Sequence, residues 1–559
     1  MKFREIAELC EKLEKTGKRN KMVELCADFL KRLNPSEIGS VVCILLGRPF
    51  PRGSWEKLEI NWMILRDPIL RVIKARPEDM ETAIGKTGDL GAATYLLFKS
   101  RQKPQRLFIE SPLEILEVRD IFLKIARVKG PRARERKERF LEGLFARSGP
   151  LEAKYLVKII TGEMRTGFRE GLMRLAIAKA FGLPEEAVMR ACMFAGDISR
   201  VAEIAAKRGE AGIRSLKPFP FRPIQPMLAK VAESVEEAIN LHEGTTALEY
   251  KLDGARVQVH KSGGKVRIFS RNLTDVTGSM PEISNQISRE LAGRRAIAEG
   301  EVIAVGRDGF PLPFQYLLQR FRRERKIREM MREVPLELQL FDLLYLNGRS
   351  LVDLPYTQRR GLLEEIAGGV KLTEQLIVHD PQGGERFLNQ AIRGGHEGVI
   401  AKKPDSPYIP GARENAWLKI KPTLEPLDLV IVGAEFGYGR RHKWLSDYYL
   451  AARDEKTGKY EIVGKTFKGL TDAELQEMTD KLKELGVRRE GRRVWVQPSI
   501  VVEVAYNEIQ RSSKYPCGMA LRFARITRIR NDKSPQDADT VERVGEIYAK
   551  QAKRRVRNR

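Results

Sequence analysis

With 559 residues, 42% of them hydrophobic, the chain is long enough for about three or four domains and can bury substantial cores. Its formal net charge of +26 predicts a polyanionic partner, nucleic acid ahead of an acidic membrane surface. No apolar run is long enough to span a bilayer, Met1-Lys-Phe-Arg-Glu5 lacks a signal peptide's apolar stretch, and Cys10, Cys26, Cys43, Cys192 and Cys517 form no C-x-x-C pair. A soluble cytoplasmic protein without a disulfide framework or zinc ribbon is expected.

From Met1 to Arg214 the pattern is helical: Phe3, Ile6, Leu9 and Leu13 recur every three to four residues, as do Met22, Cys26, Phe29, Leu30 and Leu33. Pro218, Pro220, Pro223 and Pro226 then crowd a stretch that reads as an extended linker, so a boundary falls at 214/215. Residues 215–422 mix short alternating strands with helices such as Ser234 to Leu241 and Phe314 to Arg332, which predicts an α+β domain with antiparallel sheets. Pro422 and Pro426 open a strand-rich unit, 423–546, with strands at Leu427–Val432, Tyr448–Arg453 and Ser499–Val504 and a helix at Asp472–Leu485. That pattern fits a small β-barrel. Residues 547–559, with Lys550, Lys553, Arg554, Arg555, Arg557 and Arg559, read as a solvated basic tail.

The sharpest chemical signal is Glu249-Tyr-Lys251-Leu-Asp253-Gly254-Ala-Arg256. Ala247–Tyr250 reads as one strand, and Val257 and Val259 alternate with polar neighbours as another, with Asp-Gly making a tight hairpin reversal that presents Lys251. A free lysine, with a reference pKa of about 10.4, is a poor nucleophile until cations or desolvation lower that value. Arg256, Lys419 and Lys421 are the candidate cations, and strand alternation aims Lys419 and Lys421 to one face. Glu301 and Glu397 are candidate oxygen ligands for a hard divalent cation, magnesium or manganese, with one-metal and two-metal chemistry both open. Phe341 suits a flat base or a strand core. No G-x-x-x-x-G-K-[ST] loop occurs, and the five histidines show no metal spacing and read as structural or surface residues.

The lysine segment resembles the nucleotidyl-lysine motif of the ATP-dependent DNA ligases and their relatives, the RNA ligases and capping enzymes. The remaining motifs follow in the family's order: Ser270-Arg271-Asn272, Glu299-Gly300-Glu301-Val302, Phe341-Asp342-Leu343-Leu344-Tyr345, Glu397–Lys402, Trp417–Lys421 and Arg528–Lys533. Glu299 departs from the aspartate of many relatives. The resemblance implies a lysyl-AMP on Lys251, Glu249 on the adenine amino group, and Phe341 stacked on the base. It also implies Arg256 and Arg271 on ribose and phosphate, Glu301 and Glu397 on metal and ribose, and Arg530 and Lys533 on the outer phosphates of ATP. The helical first region, with Gly88-Asp-Leu-Gly91 and the turn Thr161-Gly-Glu-Met-Arg165-Thr-Gly167, resembles the DNA-binding domain of archaeal and eukaryotic replicative-type ligases and makes Arg165 a DNA contact.

The whole implies an all-α DNA-binding domain, an α+β nucleotidyltransferase domain and an OB-fold domain, working as a monomer on nicked double-stranded DNA with ATP and magnesium. Gln105-Arg-Leu107-Phe108 resembles the short motif that docks archaeal ligases on a sliding clamp, and reads equally as the start of a core element. The rivals are an RNA ligase or capping guanylyltransferase, separated by nucleotide and nick preference, and a catalytically silent DNA-binding scaffold, disfavoured by the presence of Lys251, Glu301, Glu397, Lys419 and Lys421 together.

Overall fold

The computed structural model describes residues 1–54, 56–100, 112–306, 309–321, 327–411, 413–421, 424–438 and 441–556. The chain divides into two compact units: Met1–Lys86 with Leu90–Leu388 and Gly398–Ile420, and Thr87–Asp89 with Asn389–Glu397 and Lys421–Arg559.

In the first unit, twelve helices occupy the described residues from Phe3 to Arg214. The three-to-four-residue spacing does what it predicts, because Phe3, Ile6, Leu9 and Leu13, and Met22, Cys26, Phe29, Leu30 and Leu33, are all buried in one core. The helix Pro150–Thr161 shows the local logic. Pro150 sits where no amide partner is needed, the Glu152 carboxylate accepts from Gly149 N at 2.6 Å, and Gly162, at φ +73, ends the helix in the left-handed region. The turn that follows holds Arg165 at φ +53, with its side chain 2.5 Å from Glu163.

The proline-rich linker is strapped down rather than free. Phe221 N donates to His260 Nδ1 at 2.9 Å, Ile224 N to Gln258 Oε1 at 2.7 Å, and Met227 N to Tyr408 OH at 2.9 Å. Burial pushes His260 down to a pKa of about 3, so its ring is neutral and Nδ1 is free to accept.

Two five-stranded sheets follow. Their strands are β1 (Leu228–Val231), β2 (Thr246–Lys251), β3 (Ala255–Ser262), β4 (Lys265–Ser270), β5 (Arg295–Ala304), β6 (Leu336–Leu346), β7 (Arg349–Ser350), β8 (Gln375–Val378), β9 (Gly398–Lys402) and β10 (Arg413–Ile420). One sheet runs β1-β10-β9-β2-β8 and the other β4-β3-β5-β6-β7. The predicted hairpin is therefore corrected: β2 and β3 lie in different sheets, and Leu252–Gly254 carries the chain from one to the other. Over the stretch Phe314–Arg332, expected to be helical, the described residues form the helices Phe314–Phe321 and Ile327–Glu333. Ser234 caps Val235–Leu241 as its position before the apolar run requires, its Oγ accepting from Glu237 N at 3.1 Å.

The second unit adds β11 (Leu427–Phe436), β12 (Leu445–Arg453), β13 (Tyr460–Thr466), β14 (Gly486–Glu490), β15 (Arg493–Val496), β16 (Val501–Ala505), β17 (Glu508–Arg511), β18 (Met519–Arg522) and β19 (Arg525–Ile529). β13-β12-β11-β15-β14 form a sheet from which β16 branches, pairing β11 and β19, while β17 and β18 pair separately. Among the described residues these pairings do not close into the expected barrel. The helix Asp472–Glu484 buries Leu475, Met478 and Leu482 in the core of this unit beneath a Thr471/Glu474 capping box. The described part of the basic end lies in the helix Val541–Val556. Gln105, Leu107 and Phe108 lie outside the described residues. Among the described residues, no helix is long and apolar enough to cross a membrane.

Candidate active site

Lys251 ends β2, opposite Gly398 of β9. Residues directly opposed on neighbouring strands share a face, and the register aligns Glu249, Ile400 and Lys419 in one row and Ala247, Lys402 and Trp417 in the next. Lys251, Glu249, Lys402, Trp417 and Lys419 therefore occupy a single face. β10, which carries Lys419, is flanked by β1 and β9, so it is an interior strand rather than an edge.

Beyond Lys251, Gly254 is required by a close approach. A Cβ there would lie 2.4 Å from Val302 O and 2.8 Å from Glu301 Cγ. This contact seats the crossover against β5 and next to the carboxylate-bearing Glu301, itself paired across the sheet with Arg256.

Phe341 owes its placement to a bulge. Glu299 pairs with Asp342 and Gly300 with Leu340, which leaves Phe341 as the extra residue on β6, a device that re-aims side chains beside functional sites. Phe341 is 9% exposed, with Trp417 edge-on at 6.1 Å and Lys402 Nζ 4.6 Å from its ring centroid.

Arg256, one of the candidate cations, is held by several partners. Its Nη2 donates to Glu299 Oε2 at 2.6 Å and to Tyr408 OH at 3.2 Å, its Nη1 donates to Met227 O at 2.6 Å, and its guanidinium lies over Phe341 and Trp417. Burial opposes its charge, but Glu299, together with Tyr408 and Glu301, outweighs that and raises its pKa above the ordinary arginine value.

Glu249 is 2% exposed. Its Oε2 meets Lys402 Nζ at 2.6 Å, while Oε1 accepts from Tyr356 OH and from Arg360 Nη1 at 3.4 Å. Lys402 sits among Phe341, Tyr356 and Trp417, within 4.6 Å of each ring centroid. Burial in that aromatic box draws its pKa below the usual lysine range against the pull of Glu249 and Asp342.

Arg271, just after β4, lines a cleft of about 540 Å³ with Arg52, Glu170, Arg174 and Gln225. In the second unit, Glu397 pairs with Lys421. There too Arg530 Nη1 and Lys533 Nζ converge on Asp428 at 3.0 and 2.6 Å, with Asp532 also bound to Arg530 at 2.6 Å.

The chain matches family models described as DNA ligase N terminus over residues 2–178, ATP dependent DNA ligase domain over 226–421 and ATP dependent DNA ligase C terminal region over 441–533. It is 47% identical over 555 residues to DNA ligase 1 of Korarchaeum cryptofilum (strain OPF8), and 44% identical over 554 residues to the DNA ligase of Thermococcus fumicolans, with 99% of each chain covered in both cases. The chain belongs to the ATP-dependent DNA ligase family. The solved structure called Pmar-Lig_PreS3, 18% identical with a TM-score of 0.59, covers 94% of this chain and 99% of its own, and shares the fold. The DNA ligase N-terminus match and the DNA ligase relatives over nearly the whole chain decide against the RNA ligase and capping-enzyme readings.

Tyr356, Arg360, Tyr408, Trp417 and Lys402 escaped the sequence reading as site residues. For Lys402 and Trp417 a signal existed, since both stand in motif strands at the parity of the lysine face. Tyr356 and Arg360 lie on the helix Tyr356–Ile366, and nothing in that helix's pattern marks them.

Proposed function

We propose that this chain seals nicks in duplex DNA in three steps, in replication, repair and recombination. Lys251 Nζ, as the free amine, attacks the α-phosphorus of ATP; an N–P bond forms as the bond to pyrophosphate breaks. A 5′-phosphate oxygen at the nick then takes the AMP from Lys251. Finally the adjacent 3′-hydroxyl attacks that 5′-phosphorus, loses its proton and expels AMP. The complementary strand holds the ends together, and this proximity supplies much of the rate.

The observation that carries this reading is Lys251 standing at the end of β2 on the face shared with Glu249, Lys402 and Lys419. In it, Phe341 stacks on adenine, Glu249 accepts from the 6-amino group, Arg256 and Arg271 serve ribose and phosphate, and Lys419 and Lys421 balance charge developing at the α-phosphate. Arg530 and Lys533 serve the pyrophosphate. Glu301 and Glu397 each offer the carboxylate oxygens that magnesium or manganese accepts, and a bound cation would neutralise phosphate charge.

The domain division 1–214, 215–422 and 423–546, with 547–559 as a terminal basic segment, and an OB-type fold for the third domain belong to the same proposal; the end of the last N-terminal helix at Arg214 supports the first boundary. Arg165 is proposed as a DNA-phosphate contact, Gln105, Leu107 and Phe108 as the sliding-clamp motif, and the working form as a cytoplasmic monomer.

The deciding experiment is incubation with α-labelled ATP and magnesium followed by peptide mapping. The label is expected on Lys251, acid-labile and stable to mild alkali. No label, or label on another residue, refutes the assignment.

A further inference from the structure

We infer that Tyr356 and Arg360 are positioning residues for base selection, aiming the Glu249 carboxylate at the nucleotide's 6-amino group. The inference rests on the adenylylation reading and deepens it.

A carboxylate offers about four acceptor directions. Among the described contacts three are taken: Oε1 by the Tyr356 hydroxyl and Arg360 Nη1, and Oε2 by Lys402 Nζ. The open direction belongs to Oε2. Whether it points usefully depends on what fixes the carboxylate's rotation. Lys402, boxed by three rings and donating to Phe341 O at 3.2 Å, anchors only Oε2, and one anchored oxygen leaves the carboxylate plane free to turn. Tyr356 and Arg360 grip the other oxygen from one helix, a turn apart.

That helix is itself locked. Arg359 pairs with Asp342 through Nε at 2.8 Å and Nη2 at 2.9 Å, both residues fully buried, and Arg360 Nη2 donates to Thr373 O at 3.0 Å. Gln375 Nε2 also reaches the Tyr356 hydroxyl at 2.5 Å, so that oxygen accepts from Gln375 while donating to Glu249. Burial and the Glu249 charge raise the Tyr356 pKa, which keeps the phenol a donor.

An acceptor fixed in this way matches a 6-amino group and repels a 6-oxo group, the difference between adenine and hypoxanthine. A site built to bond one polar group discriminates strongly against an analogue that leaves its partner unpaired.

The test compares Lys251 adenylylation by ATP with inosinylation by inosine triphosphate in the full chain. Tyr356→Phe keeps the ring against Lys402 and removes only the hydroxyl. It should lower the ATP-to-inosine-triphosphate ratio of kcat/KM about tenfold, the effect of one hydrogen bond to a charged group. The loss should appear in KM for ATP, with AMP transfer from already charged enzyme to a nick unchanged. Arg360→Met should act in the same direction and Arg360→Lys should restore part of the ratio; should Arg360→Met fail to fold, Tyr356→Phe still decides. If both nucleotides weaken equally in Tyr356→Phe, or if the unaltered protein does not distinguish them, the inference is overturned. Absence of any label on unaltered Lys251 would instead overturn the underlying adenylylation reading.

Discussion

Gly254→Ala tests whether the crossover between the two sheets, rather than a hairpin, sets the position of Lys251. A methyl group at Gly254 would stand 2.4 Å from the Val302 carbonyl oxygen and 2.8 Å from both Glu301 Cγ and Ile303 Cγ2. The carbonyl is backbone in β5, which is paired on both sides by β3 and β6, so it cannot swing aside as a surface side chain would. The crossover must lift by most of an ångström instead, at a cost of about 1–3 kcal/mol, the usual range for overpacking. Gly254 lies three residues from Lys251 and two from Arg256, so the displacement reaches both. A misplacement of about 1 Å at reacting groups costs on the order of a hundredfold in rate. Single-turnover adenylylation with labelled ATP should therefore fall about a hundredfold in a protein that still melts cooperatively, slightly below the unaltered chain, and still binds nicked DNA. Adenylylation within threefold of normal in the folded variant would refute the reasoning.

Four further outcomes follow from the same geometry. Lys251→Ala should take no label while binding to nicked DNA persists, and retained label would remove Lys251 from the mechanism. Glu299→Ala should cost about 3–5 kcal/mol of stability in chemical denaturation by stranding Arg256, and adding Arg256→Met should recover part of it, because removing one partner of a buried pair is worse than removing both. His260, depressed by burial to about 3, is neutral in the fold and protonates on unfolding. Its contribution, on the order of 5 kcal/mol in full, is present above about pH 6.5 and is lost as pH falls toward 3; thermal melts between pH 7 and 5 should therefore show a slope that His260→Gln reduces. Arg530→Ala with Lys533→Ala should cripple the reaction with ATP while sparing closure of a nick supplied already adenylylated, and equal losses in both assays would assign the segment to general DNA binding.

The parts of the site legible in the sequence are those fixed by short-range rules. Two-residue alternation aims Lys419 and Lys421 to one face; Lys419 stands in β10, in the sheet that holds Glu249 and Lys251, but β10 ends at Ile420, so Lys421 does not share its strand face. What was not legible depends on pairing between distant segments. Lys-Leu-Asp-Gly between two strands looks the same whether the strands pair with each other or with β9 and β5. Only the long-range register separates a hairpin from a crossover. The same holds for Arg256, whose carboxylate partner stands 43 residues away and was read only for its departure from aspartate.

Buried polar groups were the hardest to foresee. Arginine and glutamate are expected at the surface, yet Arg359 is fully buried, Arg360 is 6% exposed, and Glu249, Glu299 and Lys402 are 1–2% exposed. Such groups are tolerated only when each finds a partner, and here the partners are mutual: Arg359 with Asp342, Arg360 and Lys402 with Glu249, Arg256 with Glu299. Charges of both signs interleave around the lysine face, so exchanging one of them for an apolar residue strands its partner. This interdependence ties the geometry of Glu249 to a helix that carries none of the motifs, so a change at Tyr356 or Arg360 reaches a carboxylate two residues from Lys251 without touching the lysine itself.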